Sequence, residues 1–152
     1  MYDSGVATVL DAIQIAAQAH AGQTNRAGEP YILHPIRVML RLKSDEERIT
    51  GILHDVVEDT PWTFEMLREA GFSEEILAAV DCLTRRENES YDEFVERIKV
   101  NPLARRVKFA DLEDNMSLQR TADPTGKDVK RMARYRRAWD TLSEYESKLQ
   151  DV

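Results

Sequence analysis

The sequence predicts an all-α fold, a single-domain helical bundle of about eight helices. Apolar residues recur at helical spacing almost throughout, and no segment sustains the two-residue alternation of a half-buried strand. Hydroxyl and amide residues precede most of these apolar runs, where helix N-caps are expected. Because 152 residues suit one domain and no linker or repeat divides them, residues 1–152 are assigned to one domain.

Three helices are predicted before the middle of the chain. The first covers roughly 5–20, and a turn-rich loop follows over 21–31. The second begins near Pro35, because proline lacks only an N–H that the first helical turn leaves unpaired. Ser44 with Glu47 forms a capping box that opens the third helix, which we expect to carry the acidic stretch 52–60.

The next three helices are shorter. Thr63 is expected to cap the fourth, which Gly71 closes, and Ser73 to cap the fifth. Ser90 with Glu93 is a second capping box, which opens the sixth helix.

The last two helices make up the C-terminal third. The pair Asn101–Pro102 is a cap followed by proline and predicts a seventh helix that runs to about Thr121. A turn is expected over 123–126, and the final helix over roughly 127–147.

Composition excludes several functional classes. A net charge of −7 and a pI near 5.0 argue against general nucleic-acid binding. No apolar stretch approaches the roughly 20 residues that a membrane span needs, and the N-terminus has no secretory signal pattern. Cys82 is the only cysteine, so it forms no intramolecular disulfide and is expected in the core. We therefore expect a cytoplasmic protein.

The stretch Ile52–Thr60 combines one imidazole with three carboxylates. On one helix, His54 and Asp55 would lie over Glu58 and Asp59, because residues four apart share a face. Such a stripe is often an ordinary solvated face. Three acids this close would repel each other without a cation, so a divalent metal is the alternative explanation.

Two distant residues favour the metal. Asp111 shares a mostly apolar helix face, where a carboxylate is costly unless it is paired with an arginine or bound to a metal. His34 precedes Pro35 at a helix entrance, where a core or capping role is the alternative. His20, at the end of the first helix, is interpreted as structural. Asn115, one turn after Asp111, could touch a ligand.

Together these side chains suit catalysis by a metal ion. Two imidazoles and two carboxylates fit Mn, Fe or Zn, and such an ion lowers the pKa of bound water and polarises a phosphoryl oxygen. Glu58 and Asp59 would lie close enough to orient that water or move protons. The basic run 130–137 is either a solvated helix face or an attraction for a phosphorylated ligand. The expected metal ligands are His34, His54, Asp55 and Asp111.

These residues resemble the H…HD…D pattern of HD-domain phosphohydrolases. Within them, the sequence is similar to the hydrolase domain of RelA/SpoT-type alarmone enzymes and to small stand-alone alarmone hydrolases. The resemblance implies a helical bundle that binds Mn²⁺ and removes the 3′-diphosphate of (p)ppGpp, giving GDP or GTP and pyrophosphate. The matching segments, within a similarity over roughly 8–120, are Ala19–Gln23, Gly28–Pro35, Leu53–Thr60 and Lys108–Asp111.

The resemblance also implies roles for individual residues. The four expected ligands would hold the ion, and Glu58 and Asp59 would activate or position the water. Arg26 matches a basic position that helps to hold the nucleotide, and Asn115 matches an asparagine that contacts it. No synthetase activity is implied.

The pattern departs from the family at three positions. Asn25 replaces a basic residue placed against guanine, Asp114 replaces a histidine, and Leu118 replaces a threonine that reaches the nucleotide. Two alternatives therefore stay open: the same chemistry on another phosphorylated nucleotide, and a non-catalytic nucleotide-binding regulator. The sequence also leaves open which of Arg85, Arg86 and Arg134 contacts phosphate.

Overall fold

The computed structural model describes residues 6–117 and 125–151. Within these ranges the chain forms nine α-helices and no strand apart from an isolated bridge between Thr24 and Pro30, which confirms the all-α prediction. The assignment of the whole chain to one domain stays a prediction. The helices are α1 (Val9–Ala19), α2 (Leu33–Leu40), α3 (Asp45–Leu53), α4 (Val56–Asp59), α5 (Phe64–Glu69), α6 (Glu74–Cys82), α7 (Tyr91–Lys99), α8 (Pro102–Asn115) and α9 (Gly126–Gln150).

Side-chain caps start most helices where the sequence predicts them. Each predicted cap accepts a hydrogen bond from the backbone N–H three residues later, which satisfies one of the unpaired donors of the first turn. Thr8 and Thr125, which cap α1 and α9 as full capping boxes, are additional. The predicted caps are Ser44, Thr63, Ser73, Ser90 and Asn101.

The predicted third helix is interrupted in the acidic stretch. It ends at Leu53, and the short α4 begins at Val56, so the expectation of one continuous helix through this stretch is wrong. The Gly51 carbonyl accepts from the His54 backbone N–H at 3.5 Å and from His54 Nδ1 at 2.6 Å. The oxygen that a continuous helix would offer to the Asp55 N–H is therefore already engaged.

Three other helix boundaries differ from the prediction. α1 begins at Val9, after its cap Thr8, and not near residue 5. α2 begins at Leu33, so His34 lies in its first turn instead of ahead of it. α8 ends at Asn115 and does not continue towards Thr121. Leu118 and the first two residues of the predicted turn over 123–126 lie outside the described residues, and the other two are the cap and the first residue of α9.

The core surrounds α8, which packs against α2, α3, α6, α7 and α9. Apolar side chains form two clusters, one around α7, α8 and α9, and the other around α1, α3, α5 and α6. Cys82 packs at the edge of the first cluster, half-buried. Gly51 allows α2 and α3 to approach, because an added Cβ would lie 2.7 Å from Leu42 Cδ1 and 3.6 Å from the Met39 Cα. This close packing brings His34 and His54 beside α8.

Among the described residues, no helix combines the length and the apolar character that crossing a bilayer requires.

Candidate metal centre

Two imidazoles and a carboxylate from three separate elements meet beside α8. The Nε2 atoms of His34 and His54 lie 2.9 Å and 3.3 Å from Asp111 Oδ1. Asp111 is only 5% exposed, although it is charged. The structure thus brings together residues that are far apart in the sequence, as predicted.

Asp55 completes this group of four. Its Oδ2 lies 3.0 Å from His54 Nε2 and 4.0 Å from His34 Nε2. The Tyr31 hydroxyl donates a hydrogen bond to the same oxygen, which fixes the carboxylate. We call the group His34, His54, Asp55 and Asp111 the metal centre.

The protonation pattern of the imidazoles suits a metal ion. His54 Nδ1 lies 2.6 Å from the Gly51 carbonyl oxygen, and His34 Nδ1 lies 2.6 Å from Asp114 Oδ2. Since both oxygens accept, each Nδ1 carries a proton, and a ring that gives up its second proton offers its Nε2 lone pair to the centre. His54 Nε2 is buried and forms no well-aligned hydrogen bond with any described residue. This donor set fits a divalent cation.

Electrostatics also favour a cation here. Burial alone would lower the pKa of His54, but the Asp55 and Asp111 carboxylates raise it well above its ordinary value. Burial alone would raise the pKa of Asp111, but the Lys108 ammonium and the two imidazoles hold it well below its usual range. The carboxylates therefore stay ionised and attract positive charge.

Glu58 and Asp59 form the exposed wall beside Asp55. Oxygens of these three carboxylates lie within 4.8 Å of one another. Partial burial and the neighbouring acids raise the pKa of both Glu58 and Asp59. Glu58 Oε1 accepts a hydrogen bond of 2.7 Å from the Arg85 backbone N–H, which holds its position. A raised pKa suits a group that takes a proton from water near neutral pH.

A cavity of about 540 Å³ opens over the metal centre. Its lining combines this acidic floor with basic and aromatic side chains from α2, α7, α8 and α9 and from the loops after α1 and α6. The basic and aromatic lining residues are Arg26, Tyr31, Arg37, Arg85, Tyr91, Phe94, Lys108, Arg131, Arg134 and Tyr135.

Three arginines from the sequence analysis divide between this cavity and the surface. Arg85 and Arg134 line the cavity, with their guanidinium carbons 6.0 Å and 4.7 Å from the centroid of the Tyr91 ring. Arg86 is not part of the lining and pairs with Asp81 at 3.4 Å. The basic run 130–137 on α9 therefore faces the cavity through Arg131 and Arg134 and is not merely a solvated face.

The residues expected to contact nucleotide also line the cavity, but they already have partners. Arg26 forms an ion pair with Asp128 at the start of α9. Asn115 Nδ2 donates to Asp111 Oδ1 at 3.2 Å. The Asn25 side-chain oxygen accepts from the backbone N–H groups of Ala27 and Glu29, so this side chain shapes the loop.

His20 agrees with its structural interpretation. It is 2% exposed, and its Nδ1 lies 2.8 Å from Gln23 Oε1. Gln23 Nε2 donates to the Asp59 carbonyl at 3.0 Å, which ties the end of α1 to α4.

Sequence reasoning missed several contributors to the site. Lys108, which is 6% exposed, donates to Asp111 Oδ2 at 2.9 Å, and its spacing of three residues from Asp111 is the signal that could have revealed it. Tyr91 and Arg37 carry no such local signal, because tertiary packing alone brings their helices to the cavity.

Several known proteins are similar to this chain in sequence or in fold. A model of the HD domain matches residues 12–99. A guanosine-3′,5′-bis(diphosphate) 3′-pyrophosphohydrolase of Haemophilus influenzae is 34% identical over 143 residues, which are 86% of this chain and 20% of that protein. The enzyme of the same name from Borreliella burgdorferi is 43% identical over 82 residues, 51% of this chain and 12% of that protein.

The chain therefore spans a fifth or less of the length of these relatives. A solved structure, described as "A metazoan ortholog of SpoT hydrolyzes ppGpp and plays a role in starvation responses", has a TM-score of 0.76 and 24% identity. The match covers 94% of this chain and 92% of that chain and supports the fold. With the HD-domain match over more than half of its residues, the chain belongs to the HD-domain family.

Proposed function

We propose that the chain is a metal-dependent phosphohydrolase that removes the 3′-diphosphate of (p)ppGpp and releases pyrophosphate. One observation carries the proposal: two imidazole Nε2 atoms and the carboxylates of Asp55 and Asp111 converge on the floor of a cavity with basic walls. The choice of (p)ppGpp as the substrate follows the names of the relatives, guanosine-3′,5′-bis(diphosphate) 3′-pyrophosphohydrolases.

His34, His54, Asp55 and Asp111 would hold the ion, for which Mn²⁺ is our choice. Imidazole with carboxylate is a mixed donor set that suits metals in the middle of the first transition series. When bound, the ion would lower the pKa of water and polarise a phosphoryl oxygen.

Glu58 and Asp59 would manage the proton of the attacking water. Hydrolysis places the water oxygen on phosphorus, breaks the bond between phosphorus and the ribose 3′-oxygen, and leaves a 3′-hydroxyl and pyrophosphate. One proton leaves the water and one reaches the 3′-oxygen. Both carboxylates reach the exposed side of Asp55, and their raised pKa values suit this exchange.

The cations of the cavity would hold the phosphates that do not react. Arg85 and Arg134 flank Tyr91 on one side, and Arg26 approaches from the loop after α1. Asn115, next to Asp111, would contact the nucleotide. An acidic protein with a net charge of −7 needs such placed cations to bind a polyanion.

A second candidate is the same reaction on another phosphorylated nucleotide. Asn25 favours it, because its side-chain oxygen is used within the loop and no cation stands at that position against a base. A non-catalytic nucleotide-binding regulator is the third possibility, and it would need neither Glu58 nor Asp59.

Pyrophosphate release from ppGpp with Mn²⁺ tests the proposal, beside a panel of nucleoside 3′-phosphates and 5′-polyphosphates. We expect Glu58→Gln to abolish turnover and keep the metal, and Asp55→Asn to lose both. Glu65→Gln, which removes an exposed carboxylate paired with Arg68 on α5, is the matched control and should match the wild type. Turnover of another nucleotide in place of ppGpp would support the second candidate, and binding without turnover would support the regulator.

A further inference from the structure

Asp114 is a fully buried carboxylate one turn after Asp111 on α8. Its position is the one at which the sequence departs from the histidine of similar HD-domain phosphohydrolases. An ionised side chain at 0% exposure is costly unless its oxygens are well paired. The partners of Asp114 therefore indicate its role.

The two oxygens of Asp114 face different partners on α2. Oδ2 lies 2.6 Å from His34 Nδ1, and Oδ1 accepts from Arg37 Nε at 2.8 Å. Arg41 Nη2 stands 3.7 Å from the same Oδ1. The carboxylate thus bridges an imidazole and a guanidinium that lie one turn apart on one helix.

This bridge fixes the orientation of His34. A carboxylate that accepts from Nδ1–H holds the proton on that nitrogen and keeps the ring from rotating, so that Nε2 faces Asp111 and Asp55. Arg37 balances the buried charge of Asp114 and fixes the carboxylate in turn.

The two imidazoles of the metal centre are supported differently. His54 is held by the Gly51 carbonyl, a neutral backbone acceptor, whereas His34 is held by a charged one. Charge-assisted hydrogen bonds are roughly twice as strong as neutral ones and make the ring a better donor to a metal. Of the two imidazoles, His34 is therefore the one whose support depends on a side chain.

We infer that Asp114 and Arg37 are a positioning pair that orients His34 and thereby sets the affinity of the metal centre for a divalent ion. The inference rests on the metal-binding part of the proposed function. It assigns to Asp114 a role in metal binding, whereas the sequence alone shows only that an aspartate replaces a histidine at this position.

Calorimetric titration of the purified full chain with Zn²⁺ tests this. Asp114→Ala should weaken binding about 10- to 100-fold, as the loss of a supporting hydrogen bond to a metal ligand usually does. Asp114→Asn keeps the shape and one acceptor oxygen, so its loss should be smaller, as should that of Arg37→Gln. Glu113→Gln, which removes the exposed neighbouring carboxylate paired with Arg41, is the matched control and should bind like the wild type.

A second readout separates positioning from a merely structural role. In the Zn²⁺-loaded protein, nitrogen-15 spectra should show a slowly exchanging Nδ1–H on both ligand imidazoles, and Asp114→Asn or Asp114→Ala should alter that of His34 alone. A structural role would lower the unfolding temperature and leave the affinity of the folded protein unchanged. Wild-type Zn²⁺ affinity in folded Asp114→Asn and Arg37→Gln, or ligation of Zn²⁺ through His34 Nδ1, would overturn the inference.

Neither readout requires turnover, so the two proposals can fail separately. If the wild type binds Zn²⁺ more tightly than the Asp114 variants but does not hydrolyse ppGpp, the inference is supported and the proposed substrate is refuted. A wild type that binds no divalent ion refutes both.

Discussion

Replacement of Lys108 by methionine tests whether the acids of the metal centre depend on a nearby cation. Lys108 is 6% exposed, and its ammonium lies 2.9 Å from Asp111 Oδ2. At that distance two unit charges attract by about 6 kcal/mol with an effective dielectric constant of about 20. Burial offsets part of this attraction, and His34 and Asn115 still contact Asp111 in the variant. We expect Lys108→Met to cost about 3 kcal/mol of unfolding free energy, at the lower end of what breaking a buried ion pair costs.

Thermal unfolding followed by circular dichroism measures this loss. For a chain of this size, about 3 kcal/mol lowers the unfolding temperature by about 6–12 °C. Saturating Mn²⁺ should recover much of this lost stability, because the ion replaces the missing positive charge. It should also bind more tightly to the variant, whose site carries one more net negative charge. Lys99→Met, which removes the partner of the half-exposed Glu96 carboxylate on α7, is the control and should cost less than about 1 kcal/mol. An equal loss with and without Mn²⁺, or no loss at all, would refute the reasoning.

Three further predictions concern the pH dependence of stability, substrate binding and the core. Two hydrogen bonds from Arg97 lower the pKa of Glu89 to about 2, so the ionised carboxylate should stabilise the fold fully above its ordinary pKa of 4.5 and lose this effect as the pH falls towards 2. The unfolding free energies of the wild type and Glu89→Gln, measured at each pH, should therefore converge near pH 2, and a difference that stays constant with pH would contradict this. Arg134→Leu should raise KM for the phosphorylated substrate more than it lowers kcat, whereas Arg136→Leu, on the exposed side of α9, should leave both constants unchanged. Equal effects of the two substitutions on KM would contradict the assignment of Arg134 to the substrate cavity. Leu112→Ala, at 0% exposure, should cost about 3 kcal/mol in urea unfolding, and a loss below about 1 kcal/mol would contradict its place in the core.

Local signals in the sequence predict most of the helices. Ser44, Ser73 and Ser90 cap helices as expected, because capping depends on residues only three apart. The apolar spacing that follows each cap then identifies the buried face. The all-α fold therefore follows from short-range chemistry.

The break in the acidic stretch could not be predicted in this way. It depends on the competition of the His54 imidazole for the Gly51 carbonyl, which periodicity does not reveal. The same break turns Asp55 towards the two imidazoles and leaves Glu58 and Asp59 on the cavity side. The sequence thus identifies which residues meet, and the structure supplies how they are oriented.

Asp114 illustrates the other limit of sequence reasoning. The sequence shows only that an aspartate replaces a histidine here, whereas the structure shows that its carboxylate contacts His34 and Arg37 on α2. That contact joins residues 80 and 77 positions apart and depends on the packing of α2 against α8. No local pattern predicts it.

Anomalous diffraction at the manganese edge, from crystals grown with Mn²⁺, tests the central claim most directly. The account predicts an anomalous peak within coordination distance of His34 Nε2, His54 Nε2 and the carboxylates of Asp55 and Asp111. The absence of a peak there, or a peak held by Glu58 and Asp59 without the imidazoles, would contradict it.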